Sequence, residues 1–266
     1  VEPLTLDRAL AEGVQEYGRL GFTLVCQLIA PEECARLAGH FDAVHADPPR
    51  PLYDPKPVQE AGGDPLQVYP RVMHPHRFDA LSLQYLLDGR ILEVLRALMG
   101  EEPLAAQSMF YFKPPGARGQ ALHQDNFYLR VEPGTCAAAW LAVDRCDAEN
   151  GALQVVPNTG DLEIACPQQA DLSQSFGGHY VPPPPGQEPQ LVEMEPGDVL
   201  FFNGNVVHGS LPNRSRDRFR RTFIGHYVAA SARQAARFYH PLLNARGEEV
   251  EMAVATGGGP CGENPH

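Results

Sequence analysis

His123-Gln124-Asp125 places an imidazole and a carboxylate two residues apart, and His208 adds a second imidazole far along the chain. On an extended segment, residues i and i+2 point to the same face, so His123 and Asp125 can meet one ion without a turn. Two histidines and one carboxylate on one side of an ion, with the opposite positions open, suit non-haem iron(II) and oxygen chemistry. Each part is common by itself, since His-x-Asp pairs arise by chance and a histidine at a strand end is usually structural. Their order gives them weight: His-x-Asp first, then a distal histidine, then the pair Arg220-Arg221. An always-charged guanidinium fork suits a ligand carboxylate, which it can hold through two parallel hydrogen bonds. Strand alternation lets only one of the two arginines face inward. Arg220 shares its face with Thr222, Ile224 and His226, and Arg221 with Phe223 and Gly225, so periodicity leaves the choice open.

These groups need elements to position them. The 266 residues, 43% hydrophobic and 20% charged, fit one large domain over 1–266. Residues 1–103 read as mostly helical. Leu6, Ala9, Leu10, Val14 and Tyr17 follow helical spacing, and Pro31 with Glu32 and Glu33 opens a second helix. That helix carries the stripe Cys34, Leu37, Ala38, Phe41 and Val44, and helices over 79–87 and 90–99 follow a long loop at 47–70. Residues 20–28 are strand-like. Over 104–230 the pattern changes to short strands between turns, at 105–113, 136–143, 152–156, 191–193, 199–202 and 221–228. Asn150-Gly151 predicts a tight hairpin and Pro196-Gly197-Asp198 a turn feeding a strand. The expected fold class is mainly β with flanking helices, a sandwich or barrel. Residues 160–190 break the strand rhythm with Gly177-Gly178 and a four-proline run, which predicts a lid. Residues 231–266 form a C-terminal extension.

A net charge of -12 argues against nucleic acid as a partner, and Arg214, Arg216 and Arg218 read as a solvated loop. No apolar run reaches the roughly eighteen residues a membrane span needs. Six cysteines without a Cys-x-x-Cys pair predict reduced thiols, with Cys34 and Cys136 in the core. Val1 to Asp7 lack a basic region followed by an apolar stretch, and Asn264-Pro265-His266 does not match the Ser-Lys-Leu address. The expected location is cytoplasmic.

Lys113-Pro114-Pro115, His123-Gln124-Asp125, Ala139-Trp140, Asn150-Gly151, His208-Gly209-Ser210 and Phe219-Arg220-Arg221 stand in this order. Together, over Arg71 to Ala230, they resemble the phytanoyl-CoA dioxygenase family. The resemblance implies a double-stranded β-helix, a jelly-roll or cupin-like core buttressed by the N-terminal helices. It also implies an Fe(II)- and 2-oxoglutarate-dependent dioxygenase that hydroxylates a small-molecule substrate with dioxygen and releases succinate and carbon dioxide. By position it makes His123, Asp125 and His208 the iron ligands and gives Arg220 the distal carboxylate of 2-oxoglutarate. Ser210, Trp140 and Met109 match positions lining the cosubstrate, and Arg71 is the upstream basic residue that would reach it. His74, Gln107, Tyr111 and Asn126 are the candidate substrate contacts. Asp125 favours hydroxylation over halogenation, for which family members replace the carboxylate with a small residue. The substrate itself is not named by the resemblance, since members act on acyl-CoAs, amino acids, osmolytes and natural products. The competing reading is a β-sandwich module that binds a metal or ligand without turnover. It has no need of open iron positions or of Arg220. A cupin-type metal enzyme would need a third histidine and a glutamate at a spacing absent here.

Overall fold

Every side chain along Cys136–Ala142 is buried, and alternation divides them between two cores. Ala137, Ala139 and Leu141 pack with the helices, while Ala138, Trp140 and Ala142 face the interior of the sandwich. Val199–Asn203 divides in the same way, Val199 and Phe201 to one side, Leu200 and Phe202 to the other. Strands buried on both faces belong in a middle layer. The computed structural model, which describes residues 4–256, 261 and 262, shows that layer. Val1–Pro3 and Asn264-Pro265-His266 lie outside the described residues.

In chain order the strands are β1 (Phe22–Val25), β2 (Val72–Met73), β3 (Pro103–Tyr111), β4 (Gln120–His123), β5 (Cys136–Ala142) and β6 (Leu153–Val155). Next come β7 (Gln168–Gln169), β8 (His179–Tyr180), β9 (Gln190–Val192), β10 (Val199–Asn203), β11 (His208–Ser210) and β12 (Thr222–Ala229). The last four are β13 (Gln234–Ala235), β14 (Leu242–Leu243), β15 (Glu249–Val250) and β16 (Ala253–Val254). An eight-stranded sheet runs β1-β10-β5-β12-β3-β14-β15, with β2 also on β3, and a four-stranded sheet runs β4-β11-β6-β9. Pairing within both is antiparallel, and the two face each other across the inner core as a double-stranded β-helix. Helices Pro31–Ala46, Ala80–Leu86 and Gly89–Met99 cover the outer face of the large sheet. Phe41 of the first stacks on Phe110 of β3, with ring centroids 3.8 Å apart. Burying such a ring contributes about 1.5–3 kcal/mol.

Four features differ from the sequence reading. Asn150-Gly151 does not close a hairpin, because β5 and β6 lie in different sheets. Only Gly151 has positive φ, at 91, while Asn150 uses its side chain to bond the Asp147 amide and the Arg145 and Phe219 carbonyls. The break in strand rhythm over 160–190 is not complete, since β7 and β8 pair within it. Cys166 and Cys261 are joined in a disulfide at a sequence separation of 95, a pairing that spacing could not reveal, while Cys26, Cys34, Cys136 and Cys146 are free. Finally, the chain beyond 230 returns to the body. β14 joins the large sheet, and Ala235, Tyr239 and Leu242 are buried with Leu104 and Val228.

Candidate metal centre and cavity

β4 and β11 bring the two histidines together, because His208 is the register partner of His123. The strands approach closely at Gly209, where a Cβ would lie 2.6 Å from the Gln120 carbonyl oxygen. Each imidazole is fixed by a short local bond. Nδ1–H of His123 donates to the Ala121 carbonyl at 2.9 Å, and Nδ1–H of His208 to the Val206 carbonyl at 2.9 Å. A nitrogen facing a carbonyl oxygen must carry the proton, so each Nε2 keeps its lone pair. Asp125 completes the group differently from the sequence reading. The chain is not extended there but turns after His123, and Asp125 has φ −65 and ψ −35 at the start of the helical turn Asn126–Leu129. Its Oδ1 lies 3.4 Å from His123 Nε2 and its Oδ2 3.6 Å from His208 Nε2. One donor atom from each residue falls within 4.8 Å of the others, and all three residues are buried.

This donor set fits a divalent cation of the iron type, with two neutral imidazole nitrogens and one carboxylate converging from one side. Protonation states agree. Burial pushes His208 down to about 4, which keeps it neutral. Burial opposes ionisation of Asp125, yet the histidines packed around it, His208 first and then His226 and His123, hold its carboxyl well below the usual range. Gln120 Nε2 sits 3.1 Å from His123 Nε2 as the end of a flexible side chain. His226, on β12, donates from Nε2 to Asp125 Oδ2 at 2.9 Å.

The three residues open into a cavity of about 380 Å³ between the two sheets. Arg220 lies in its wall, 3% exposed, with Nε donating to the Gly151 carbonyl at 3.1 Å and Nη1 to Thr222 Oγ1 at 3.2 Å. Its guanidinium carbon is 5.1 Å from the centre of the Trp140 ring. No carboxylate pairs with it among the described residues. Arg221 faces the other way, onto Asp144 at 2.9 Å and Asp42 at 2.8 Å. Ser210, Met109 and Trp140 also line the cavity. Arg71 lines it too, its Nη1 donating to Tyr111 Oη at 3.1 Å and its guanidinium 5.1 Å from the Phe176 ring centre.

Of the candidate substrate contacts, Gln107 and Tyr111 line the cavity, and His74 and Asn126 do not. Asn126 accepts the Val131 amide at 2.9 Å and so stabilises its own turn, while His74 packs edge-on against Phe238. The sequence reading missed His226 as a partner of Asp125, although the alternation that placed it on Arg220's face was visible. It also missed Phe176 and His179 from the 160–190 segment and Phe238 and Tyr239 from beyond residue 230. His179 Nδ1 is 2.9 Å from Tyr128 Oη, which ties that segment to the turn carrying Asp125. No local spacing signals residues that reach a cavity from distant loops.

Solved structures of similar fold include the non-heme alpha ketoglutarate dependent epimerase SnoN from nogalamycin biosynthesis. It has a TM-score of 0.67 at 20% identity, with 85% of each chain covered. EctD from S. alaskensis, solved with 2-oxoglutarate and 5-hydroxyectoine, has a TM-score of 0.66 at 23% identity, over 84% of this chain and 77% of that one. Among curated proteins, the rice (Oryza sativa subsp. japonica) "Phytanoyl-CoA dioxygenase 1" is 27% identical over 141 residues, 53% of this chain and 50% of its own length. The match therefore spans about half of that relative. The peroxisomal phytanoyl-CoA dioxygenase of Mus musculus is 26% identical over 250 residues, 89% of this chain and 73% of its own. The profile of the phytanoyl-CoA dioxygenase (PhyH) family matches residues 17–222, and the chain belongs to that family.

Proposed function

We propose that the chain is an Fe(II)- and 2-oxoglutarate-dependent oxygenase that hydroxylates a small molecule. The observation that carries this reading is the pairing of two unlike ends in one cavity. A His-Asp-His donor set stands at one, and at the other a buried arginine with no carboxylate partner among the described residues. A dicarboxylate that chelates a metal through one end and carries a free carboxylate at the other matches both at once.

His123, Asp125 and His208 would hold the iron, which when bound supplies oxygen activation coupled to decarboxylation of the oxo acid. Arg220 would fix the distal carboxylate by a charge-assisted fork, with Ser210 beside it and Trp140 and Met109 forming the walls. Orientation of the two reactants and exclusion of water are the protein's main tasks in such chemistry. The segment 160–190, which brings Phe176, Gly177, Gly178 and His179 to the cavity, would serve as a lid. Gln107, Tyr111, Tyr128, Phe238 and Tyr239 surround the remaining space, and a cavity of about 380 Å³ lies at the small end of ligand sites. It suits a compact substrate, or the reacting portion of a larger one.

The test is succinate release from 2-oxoglutarate under air with added iron(II). Iron-dependent succinate formation that stops when His208 is replaced by Ala supports the reading. Formation that persists in that variant, or is absent from the wild type under every iron and substrate condition tried, contradicts it.

A further inference from the structure

A metal and its ligands leave two motifs of the sequence unexplained, Lys113-Pro114-Pro115 and Asn150-Gly151. Their residues meet behind the arginine end of the cavity. Lys113 is 3% exposed and holds a left-handed backbone conformation, φ 40, that residues with a Cβ seldom adopt. Its carbonyl accepts the Arg220 amide at 3.1 Å and Asn213 Nδ2 at 3.0 Å, which anchors it directly to the arginine's backbone. Its side chain then passes Gly151. A Cβ at that position would lie 2.6 Å from Lys113 Cε and 2.6 Å from the Leu211 carbonyl oxygen, and φ there is 91. Only glycine leaves that passage open.

At the far end of the passage Lys113 Nζ donates to Ser210 Oγ at 2.9 Å, and the Gln120 backbone N–H donates to the same oxygen at 3.2 Å. A hydroxyl oxygen has two lone pairs and one proton. With both lone pairs taken, the Ser210 proton is left to point elsewhere, and Ser210 lines the cavity together with Arg220. We propose that Lys113 is a positioning residue: with the Gln120 amide it makes Ser210 a one-way hydrogen-bond donor toward a carboxylate seated on Arg220. This rests on the reading above that Arg220 and Ser210 hold the distal carboxylate. Lys113 itself is absent from the cavity wall and acts through the serine. Burial, and after it the charge of Arg220, push its ammonium well below the ordinary range. The role needs the donor-only ammonium, and a carboxylate seated on Arg220 favours that charged form.

Trp140 is the single tryptophan of the chain and faces the cavity beside Arg220, so its fluorescence reports occupancy without turnover. The probes are 2-oxoglutarate and 2-oxoglutaramate, which share the oxo acid end and differ in having a carboxylate or an amide at the other. They are titrated into the iron(II)-loaded protein held anaerobically. In wild type the carboxylate compound should bind far more tightly. In Lys113→Met its binding should weaken about ten-fold, the order expected for one hydrogen bond to a charged group. Its preference over the amide should also shrink, because a Ser210 freed from Lys113 can turn and accept. Ser210→Ala should show a similar loss, and the double variant should be no worse than either single one. Additive losses, an unchanged preference, or binding by Lys113→Met equal to wild type would each overturn the proposal. If Lys113→Met does not fold, Lys113→Gln enters the same cycle under the same criteria. A wild type that answers neither probe sinks the cosubstrate reading instead, so the two failures are distinguishable.

Discussion

The two ends of the cavity are built on opposite electrostatic plans. At the metal end the donor groups are already fixed by protein partners. Asp125 sits among His123, His208 and His226, and each ligand histidine is locked by the carbonyl two residues before it in the chain. At the other end Arg220 and Lys113 are buried next to each other, with no acid paired to either among the described residues. Isolated buried charge is costly, and a fold tolerates it where a counter-charge arrives with a ligand. The first end is therefore formed before any ligand binds, whereas the second is completed by its guest. Mutations should separate the two plans. Changes at the metal end should remove turnover altogether, and changes at the cation end should raise the requirement for 2-oxoglutarate.

The largest effect is expected from Ala at His123, Asp125 or His208. Each should abolish iron-dependent succinate formation and leave the far-ultraviolet circular dichroism spectrum unchanged. A variant that keeps wild-type turnover would remove its residue from the ligand set.

Next is Arg220→Ala, which should weaken 2-oxoglutarate binding by about 2–5 kcal/mol, the range for truncating one member of a desolvated charge pair. Arg221→Ala should leave that affinity alone, since Arg221 is spent on Asp144 and Asp42. The reverse ranking in steady-state 2-oxoglutarate titrations would mean the cation end is misassigned.

Two buried histidines, His208 at the metal end and His76 away from it, should also betray themselves through pH. Burial lowers both His208 and His76 from 6.5 to about 4 in the folded protein. Between those values the unfolded chain binds more protons than the folded one, so stability is full above about pH 6.5 and falls as pH drops toward 4. The thermal midpoint of the metal-free protein should follow that slope, and a flat midpoint across this window would contradict it.

The smallest expected effect concerns the wall over both ends. Cys166 lies in 160–190 and Cys261 near the C-terminus, so reductant should release one from the other. Limited proteolysis within 160–190 should then quicken about two- to five-fold, in the manner of a loop that opens locally. Equal cleavage maps with and without reductant would show that the disulfide does not restrain the segment.

Legibility in the sequence follows the same division. Long strands and amphipathic helices announce themselves by period, as in Cys136–Ala142 and Pro31–Ala46, whose stripe Cys34, Leu37, Ala38 and Phe41 is the buried one. β4 and β11 are too short for any period to register, yet their pairing is what joins His123 to His208. The turn that aims Asp125 was equally hidden, because the bond that stabilises it, from the Val131 amide to the Asn126 side chain, follows no spacing rule visible in the sequence. The inward direction of Arg220 was undecidable from alternation and becomes plain only when Asp144 is seen to claim Arg221. Lys113 could be read as part of a motif, but its reach to Ser210 depends on the third dimension.

One anaerobic measurement puts both ends to work at once. Iron(II) and 2-oxoglutarate added together to the wild-type protein should give a weak visible charge-transfer band, which needs the oxo acid end chelated at the metal. The same band should be missing from His208→Ala at any cosubstrate concentration, and should return in Arg220→Ala only when 2-oxoglutarate is raised well above the wild-type requirement. A wild type without the band, or a band that survives in His208→Ala, would contradict a single cavity that grips one dicarboxylate at two unlike ends.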